Sequence, residues 1–237
     1  MTVHYRTRGF VFKKEERAES NRNFSVFTED FGRLEILGKA IRKINSKLRS
    51  GIDMFSFSEI EFIQGKNNKT LTDAIPIEKF SIANNLKKLK IAHQISDIID
   101  NFLKGQEKDL GTFNLIKEIF LILDEPAVKN QDFIYFYFLW NFLALQGYKS
   151  EVNVCAVCKE KLNPYGVYFS NKEGGVICKK CLNLDPNSQK INSDIVKILR
   201  LIFKKEWQIL SKLKIEKRSI DEFAEISKNY YLYVLPK

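Results

Sequence analysis

Four cysteines in two CxxC pairs constrain the fold of this 237-residue chain more than any other feature. They lie in one segment, CAVCKEKLNPYGVYFSNKEGGVICKKC, with nineteen residues between the second and third cysteine: Cys155, Cys158, Cys178 and Cys181. In a CxxC turn both sulfurs can face one ion, and two such turns complete the tetrahedron that Zn²⁺ prefers. The spacing therefore predicts a four-thiolate zinc site.

Other roles for the cysteines are less favoured. Disulfides are rare in cytoplasmic proteins and remain the minor alternative, while a thioredoxin-like motif needs a single CxxC pair in a βαβ setting. A catalytic zinc site keeps one position open, whereas sulfur would fill all four positions here, and the two histidines, His4 and His93, are remote in sequence. We therefore expect structural zinc. Neighbouring lysines are expected to help keep the thiolates deprotonated: Lys159, Lys161, Lys179 and Lys180.

The first eighty or so residues read as short strands separated by turn signals. Apolar runs at 10–12, 24–28 and 34–37 are typical of strands, and the alternating stretch 55–63 changes phase midway. Such a phase change indicates a bulge or a strong bend. Five or so short, aromatic-rich strands predict a small closed β-barrel over residues 1–80.

From about residue 81 the apolar residues follow helical spacing. The pattern predicts helices over 82–103, 113–123, 131–146, 193–213 and 219–230. The most apolar run, 133–145, spans thirteen residues and is too short to cross a bilayer, which needs about 20. The predicted fold class is α+β, with an N-terminal barrel followed by an α-helical bundle over 81–237 that carries the cysteine element, 151–185, as an insert.

The charge is unevenly distributed along the chain. Lysine and arginine outnumber aspartate and glutamate by 39 to 29, and the formal net charge of +10 favours polyanionic partners. One stretch inside the predicted barrel carries six basic residues against Glu35 alone: Arg33, Lys39, Arg42, Lys43, Lys47 and Arg49. Barrels of the OB type bind single strands with basic side chains on phosphates and aromatic side chains on bases. A second basic run, which includes Lys204 and Lys205, lies in the late helix.

Motifs for common enzyme chemistry are missing. The sequence has no GxxxxGK[ST], GxGxxG, GxSxG or HExxH pattern, so we expect a binding protein and not an enzyme. The N-terminus lacks an apolar signal region, and we expect a cytoplasmic protein without membrane attachment.

Taken together, these motifs resemble the RecO family of bacterial recombination mediators. The opening RTRGFVFKKEERAESNRNFSVFTEDFGRLEILGKAIRK is similar to that family's barrel. The helix FIYFYFLWNFLALQGYKSEVNVCAVC is similar to its aromatic helix, which ends in Gly-Tyr before the first CxxC pair, and YFSNKEGGVICKKC is similar to the end of its cysteine element.

The resemblance implies an N-terminal OB-fold, a helical bundle and a zinc-ribbon-like element. It also implies a non-enzymatic role in recombinational repair at the bacterial nucleoid: binding single- and double-stranded DNA, annealing complementary strands, contacting the C-terminal tail of single-stranded-DNA-binding protein, and working with RecR to load RecA. The family's basic DNA-contacting segment falls on Lys39, Arg42 and Lys43, with Arg33 just before it, and its zinc ligands fall on the four cysteines.

Three alternatives remain open. A zinc-ribbon transcription regulator would read sequence on duplex DNA, and a scaffold would use its charge only for solubility. A nuclease or deaminase would need a dispersed catalytic site, and zinc deaminases carry an HxE motif that the chain lacks.

Overall fold

The computed structural model describes residues 3–17, 19–126 and 128–236, and they form a mixed α+β structure. The chain divides into two compact units, Met1–Pro126 and Ala127–Lys237. The first unit contains two helices in addition to the N-terminal strands. The domain boundary that the sequence predicts after residue 80 lies within this unit, and it stays a prediction.

Five strands build the first part of the N-terminal unit. They are β1 (His4–Arg17), β2 (Asn21–Thr28), β3 (Gly32–Gly38), β4 (Ser56–Gln64) and β5 (Lys69–Lys79). Their pairing closes on itself in the order β1-β2-β3-β5-β4, because β1 pairs with both β2 and β4. The β3–β5 pair is parallel and short, and the remaining pairs are antiparallel.

The sequence predicted one feature of these strands and missed another. The predicted irregularity in 55–63 is confirmed, since the β4–β5 register shifts at Phe57/Ser58 and again at Glu61/Phe62. β5 was not predicted, because its sequence KTLTDAIPIEK includes a proline and buries only Leu71 and Ala74. A strand with so few inward apolar positions gives little periodic signal.

Apolar side chains pack on both faces of the barrel wall. One cluster fills the interior, with Phe24, Val26 and Phe62 each no more than 2% exposed. On the other face, aromatic rings pack against α1 (Leu86–Phe102) and α2 (Leu110–Asp124), as in the Phe10–Phe120 pair at 4.2 Å between ring centroids. The aromatic residues of the strands are therefore core residues.

The second unit combines helices with a small sheet. Its elements are α3 (Asp132–Leu145), β6 (Val167–Ser170), β7 (Gly175–Cys178), β8 (Gln189–Ile191), α4 (Ser193–Phe203), α5 (Trp207–Leu210) and α6 (Lys217–Val234). The three strands pair in the order β7-β6-β8. The predicted core helix is confirmed as α3, which is buried on nearly all sides. Its polar groups are paired, since Trp140 Nε1 donates to Ser227 Oγ at 3.0 Å and Asn141 Nδ2 donates to Tyr137 O at 2.9 Å.

Helix ends show what periodicity alone misses. The helix predicted over 193–213 ends at Phe203, because Lys205 adopts a left-handed φ of 58° and the N–H groups of Lys205 and Glu206 close back on Ile202 O and Leu201 O. That pattern is a Schellman cap, which usually uses glycine, so a lysine there gave no signal. The last helix begins at Lys217 and not at the predicted residue 219. Within the described ranges, none of the helices combines the length and apolarity needed to cross a bilayer.

Candidate metal centre and nucleic-acid interface

The β6–β7 hairpin brings the two CxxC pairs together. Cys178 ends β7, Cys181 lies in the 3-10 turn Lys179–Leu184, and the first pair lies in the turn before β6. All four Sγ atoms lie within 4.8 Å of one another, and the Cys158 and Cys178 Sγ atoms are 3.8 Å apart. Zn–S bonds of about 2.3 Å in a tetrahedron require sulfurs about 3.8 Å apart, so the cluster fits a tetrahedral ion.

Backbone hydrogen bonds hold the first CxxC turn in shape. Cys155 N donates to Glu160 O at 2.9 Å, and Lys159 N donates back to Cys155 O at 3.0 Å. The turn requires a left-handed residue, which is Lys159 with a φ of 62°. Cys178 N donates to Cys155 Sγ at 3.4 Å and so links the two turns directly. The sulfurs are thus positioned by the backbone and not by flexible side chains.

The surroundings shift the pKa values of Cys155 and Cys181 in opposite directions. Burial raises the pKa of Cys155. Hydrogen bonds from the N–H groups of Cys158, Cys178 and Val157 outweigh this effect and lower the pKa to about 6 overall. Burial raises the pKa of Cys181 to about 12, and the neighbouring sulfurs add to this effect. One thiolate is therefore favoured and further thiolates are opposed, because like charges repel at this separation. A bound dication would remove the repulsion, and all four cysteines are free to bind one.

Two of the four lysines beside the sulfurs, Lys159 and Lys180, have other partners. Lys180 Nζ lies 3.2 Å from Glu160 Oε2, and Lys159 Nζ donates to Ala156 O at 2.7 Å. Glu160 raises the pKa of Lys180, while Cys178 and Cys158 contribute less. Backbone N–H groups make most of the hydrogen bonds that lower the pKa of Cys155, and the Cys158 side chain adds a smaller contribution. At Cys155 the main donors that stabilise the thiolate are therefore backbone N–H groups, and the predicted contribution of the lysines is secondary.

The predicted basic residues after β3 lie on one connection of the N-terminal unit, residues 39–55, which we call the basic loop. All five of its basic side chains are exposed: Lys39, Arg42, Lys43, Lys47 and Arg49. The loop is anchored by Ile41 and Ile52, which are 2% and 3% exposed. Arg42 N also donates to Ser20 O at 3.1 Å in the β1–β2 turn. The cations are therefore displayed on a fixed backbone.

Few carboxylates neutralise the basic loop. Arg42 Nη1 lies 3.1 Å from Glu16 Oε2, and the pair is largely exposed. The other four cations have no carboxylate partner among residues 3–17, 19–126 and 128–236. Arg42 and Arg49 also border a cavity of about 270 Å³ together with Arg22 and the carboxylate of Glu16. The surface is strongly positive and open to an anionic ligand.

Arg33, the sixth predicted residue, is placed apart from the other five. Its side chain is 15% exposed, and Nη1 donates to Asp100 O at 2.9 Å and to Leu103 O at 2.8 Å. Nη2 lies 2.6 Å from Asp100 Oδ1, and the guanidinium lies 5.4 Å from the centroid of the Phe12 ring. Burial raises the pKa of Asp100, but Lys13 and Arg33 lower it to a net value below the usual range. Arg33 therefore fastens the end of α1 to β3.

The aromatic side chains that were predicted to stack on bases are buried in the structure. Phe24, Phe27, Phe57 and Phe62 are each at most 3% exposed. They cannot stack on bases without opening the core, so the exposed residues of the predicted surface on this unit are its cations. Sequence patterns could not separate the two uses, because an inward phenylalanine and a base-stacking phenylalanine both fit an alternating strand.

Comparison with known proteins identifies the family. Residues 1–80 match the family model "Recombination protein O N terminal", and residues 83–237 match "Recombination protein O C terminal". A protein of Dehalococcoides mccartyi named "DNA repair protein RecO" is 28% identical over 98% of this chain and 91% of its own length. Proteins of the same name from Halalkalibacterium halodurans and Acetivibrio thermocellus are 24% and 25% identical over 97% and 96% of the chain, covering 89% and 90% of their own lengths. With both family models matched across nearly its whole length, the chain belongs to the RecO family.

Proposed function

We propose that this protein is a DNA-binding recombination mediator in DNA repair. Its relatives are named DNA repair proteins, and the basic loop offers an exposed surface of cations with little neutralisation. It binds single- and double-stranded DNA, anneals complementary strands and, with RecR, helps load RecA onto DNA coated by single-stranded-DNA-binding protein, whose C-terminal tail it contacts. It does so in the cytoplasm, without covalent chemistry.

The N-terminal strands are proposed to be an OB-fold. The order β1-β2-β3-β5-β4 with a parallel β3–β5 contact supports this, because OB-folds are five-stranded Greek-key barrels. In the proposal, nucleic acid binds this barrel through phosphate contacts. The buried phenylalanines leave base stacking to other parts of the chain.

The exposed cations of the basic loop are the observation that carries the proposal. Lys39, Arg42, Lys43, Lys47 and Arg49 neutralise the phosphates of one strand and release its counterions. Lower charge on that strand reduces its repulsion from a complementary strand, which favours pairing. Arg33, which sequence alone placed with this group, has all three guanidinium nitrogens engaged within the unit.

The four cysteines are proposed to hold one Zn²⁺ ion in a zinc-ribbon-like element. The sulfur separations and the backbone N–H groups around Cys155 support this assignment. When bound, the ion supplies a cross-link between the two CxxC turns. The cysteines contribute to structure, since an all-sulfur ligand set leaves no position for a reacting group.

A strand-annealing assay tests the function. Complementary strands are coated with single-stranded-DNA-binding protein, and pairing is followed by fluorescence transfer. The parent protein should accelerate pairing, and a Lys39→Gln, Arg42→Gln, Lys43→Gln variant should lose at least ten-fold in rate while its fold is unchanged.

A charge-matched control separates the basic loop from general charge. Exposed lysines on β5, α1 and α6 supply it, as Lys79→Gln, Lys90→Gln, Lys228→Gln. This control should anneal nearly as fast as the parent. Equal loss in both variants would reject the basic loop as the site, and no annealing by the parent would reject the function.

A zinc-ribbon regulator of duplex DNA is the alternative function. The four-cysteine cluster beside exposed lysines favours it. A regulator would bind one duplex sequence at least a thousand-fold more tightly than others. A mediator should show little preference, so binding to a randomised duplex library, followed by sequencing of the bound fraction, decides between them.

A further inference from the structure

A second cationic site lies in the other unit, in a pocket between the chain before the first CxxC turn and the end of α4. The pocket has a volume of about 340 Å³ and is lined by Lys149, Arg200 and Lys204, with Glu151 and Phe203 beside them. Concave sites with one dominant sign of charge concentrate the electric field and attract counter-charged ligands. Three cations against one carboxylate make this a pocket for an anion.

Two of the three cations, Arg200 and Lys149, are held in place by neighbouring groups. Arg200 Nε donates to Val152 O at 2.9 Å, which fixes the guanidinium at the pocket wall. Lys149 Nζ lies 5.8 Å from the centroid of the Phe203 ring, a cation–π distance. Lys204 is exposed and caps the end of α4. An anion would therefore meet partly preorganised donors, which lowers the entropic cost of binding.

The carboxylate and the carbonyl groups near the pocket already accept hydrogen bonds from backbone N–H groups. Glu151 Oε1 accepts from Asn153 N at 2.8 Å and from Val154 N at 3.4 Å. The backbone N–H of Asn153 is the main cause of its lowered pKa, so the carboxylate is stabilised by the backbone and does not need the lysines. At the end of α4, the carbonyls of Leu201 and Ile202 accept the N–H groups of the Schellman cap. The three cations are left to bind an external anion.

We propose that this pocket binds the phosphate backbone of a second nucleic-acid strand while the basic loop binds the first. The inference rests on the proposed function and gives annealing its second binding surface. A polyanion with repeated charges suits the site better than a small anion, because exposed lysines continue along the chain after the pocket: Lys205, Lys212 and Lys214. The second basic run of the sequence already contains Arg200, Lys204 and Lys205, whereas Lys149 joins the site only through the fold.

The test measures the binding of a first strand and the binding of a second strand separately, on the 237-residue chain. The variant is Lys149→Gln, Lys204→Gln, which leaves Arg200 and its backbone contacts intact. The control is Lys129→Gln, Lys228→Gln, which removes two exposed lysines of the same unit. Affinity for one labelled oligothymidylate is measured first, and capture of a second, non-complementary strand of another colour is measured next.

In the pocket variant, first-strand affinity should change less than two-fold, while second-strand capture and annealing rate should fall at least five-fold. The control should match the parent in all three. Unchanged second-strand capture would overturn the proposal, as would an equal loss of first-strand binding. A synthetic aspartate-rich peptide is the remaining arm: loss of peptide capture alone would assign the pocket to an acidic peptide instead. If the parent bound no DNA, the proposed function would fail before this inference was reached.

Discussion

At the scale of single residues, Arg33 shows how far a charge pattern can be interpreted. It belongs to the same basic run as Lys39 and Arg42 but lies on β3, where Leu34 and Ile36 face the interior and Arg33 lies on the opposite face. Its partners, Asp100 and Leu103, follow it by about seventy residues in sequence. A single sequence has no local signal for a contact at that separation, so the structure was needed to distinguish an anchoring cation from an exposed one.

Substituting Arg33 should destabilise the N-terminal unit more than it weakens DNA binding. Arg33→Ala leaves Asp100 partly buried without one partner and removes the donors to two carbonyls at the end of α1. We expect the free energy of opening α1 to fall by about 2–4 kcal/mol. Hydrogen exchange of the α1 amides measures this directly, which matters because both tryptophans, Trp140 and Trp207, lie in the other unit.

Lys39→Ala is the matched control for Arg33→Ala. Lys39 is exposed on the basic loop, and its removal should change α1 exchange by less than about 0.5 kcal/mol. A reversed result, with α1 unchanged by Arg33→Ala and DNA affinity strongly reduced, would show that Arg33 contacts phosphate as the sequence pattern predicted.

At the scale of elements, the sequence was informative where one signal is local and strong. The cysteine spacing predicted the cluster, and the apolar run 133–145, interrupted by Asn141, predicted α3, which ends at Leu145, two residues before Gly147 with its φ of 90°. Prediction from the sequence failed where backbone geometry determines the bounds of an element. β5 has a weak pattern, and α4 ends at a left-handed lysine, which periodicity reads as one more helical position.

Metal removal should unfold the cysteine element and leave the core helix of that unit protected. Purified protein should contain one zinc per chain by mass spectrometry, and Cys158→Ser should lose most of it. Because only short strands and turns connect the two CxxC pairs, we expect amides of β6 and β7 to exchange much faster without the ion, while amides of α3 change little. Ser211→Ala, far from the cluster in sequence, is the control. Metal-free protein with protected β6 and β7 amides would contradict a structural role for zinc.

At the scale of the whole molecule, net charge and local charge make different predictions. A net charge of +10 by itself attracts any polyanion weakly, and removing any three exposed cations would then have the same effect. The structure instead concentrates cations that have few carboxylate partners among the described residues on a fixed loop of one unit and in a pocket of the other. Affinity should therefore depend on where a charge is removed.

The salt dependence of DNA binding measures that difference. A plot of log affinity against log salt falls by about 0.7 for each phosphate contact on single strands and by about 0.9 on duplex DNA. The variant Lys39→Gln, Arg42→Gln, Lys43→Gln should therefore reduce the slope by about 2 on single strands and by about 3 on duplex DNA. Lys79→Gln, Lys90→Gln, Lys228→Gln removes three positive charges from exposed positions elsewhere and should leave the slope nearly unchanged. Fluorescence anisotropy over a range of salt concentrations gives both slopes. Equal slope changes in the two variants would mean that binding follows the net charge, and the basic loop would lose its assignment as the phosphate-binding surface.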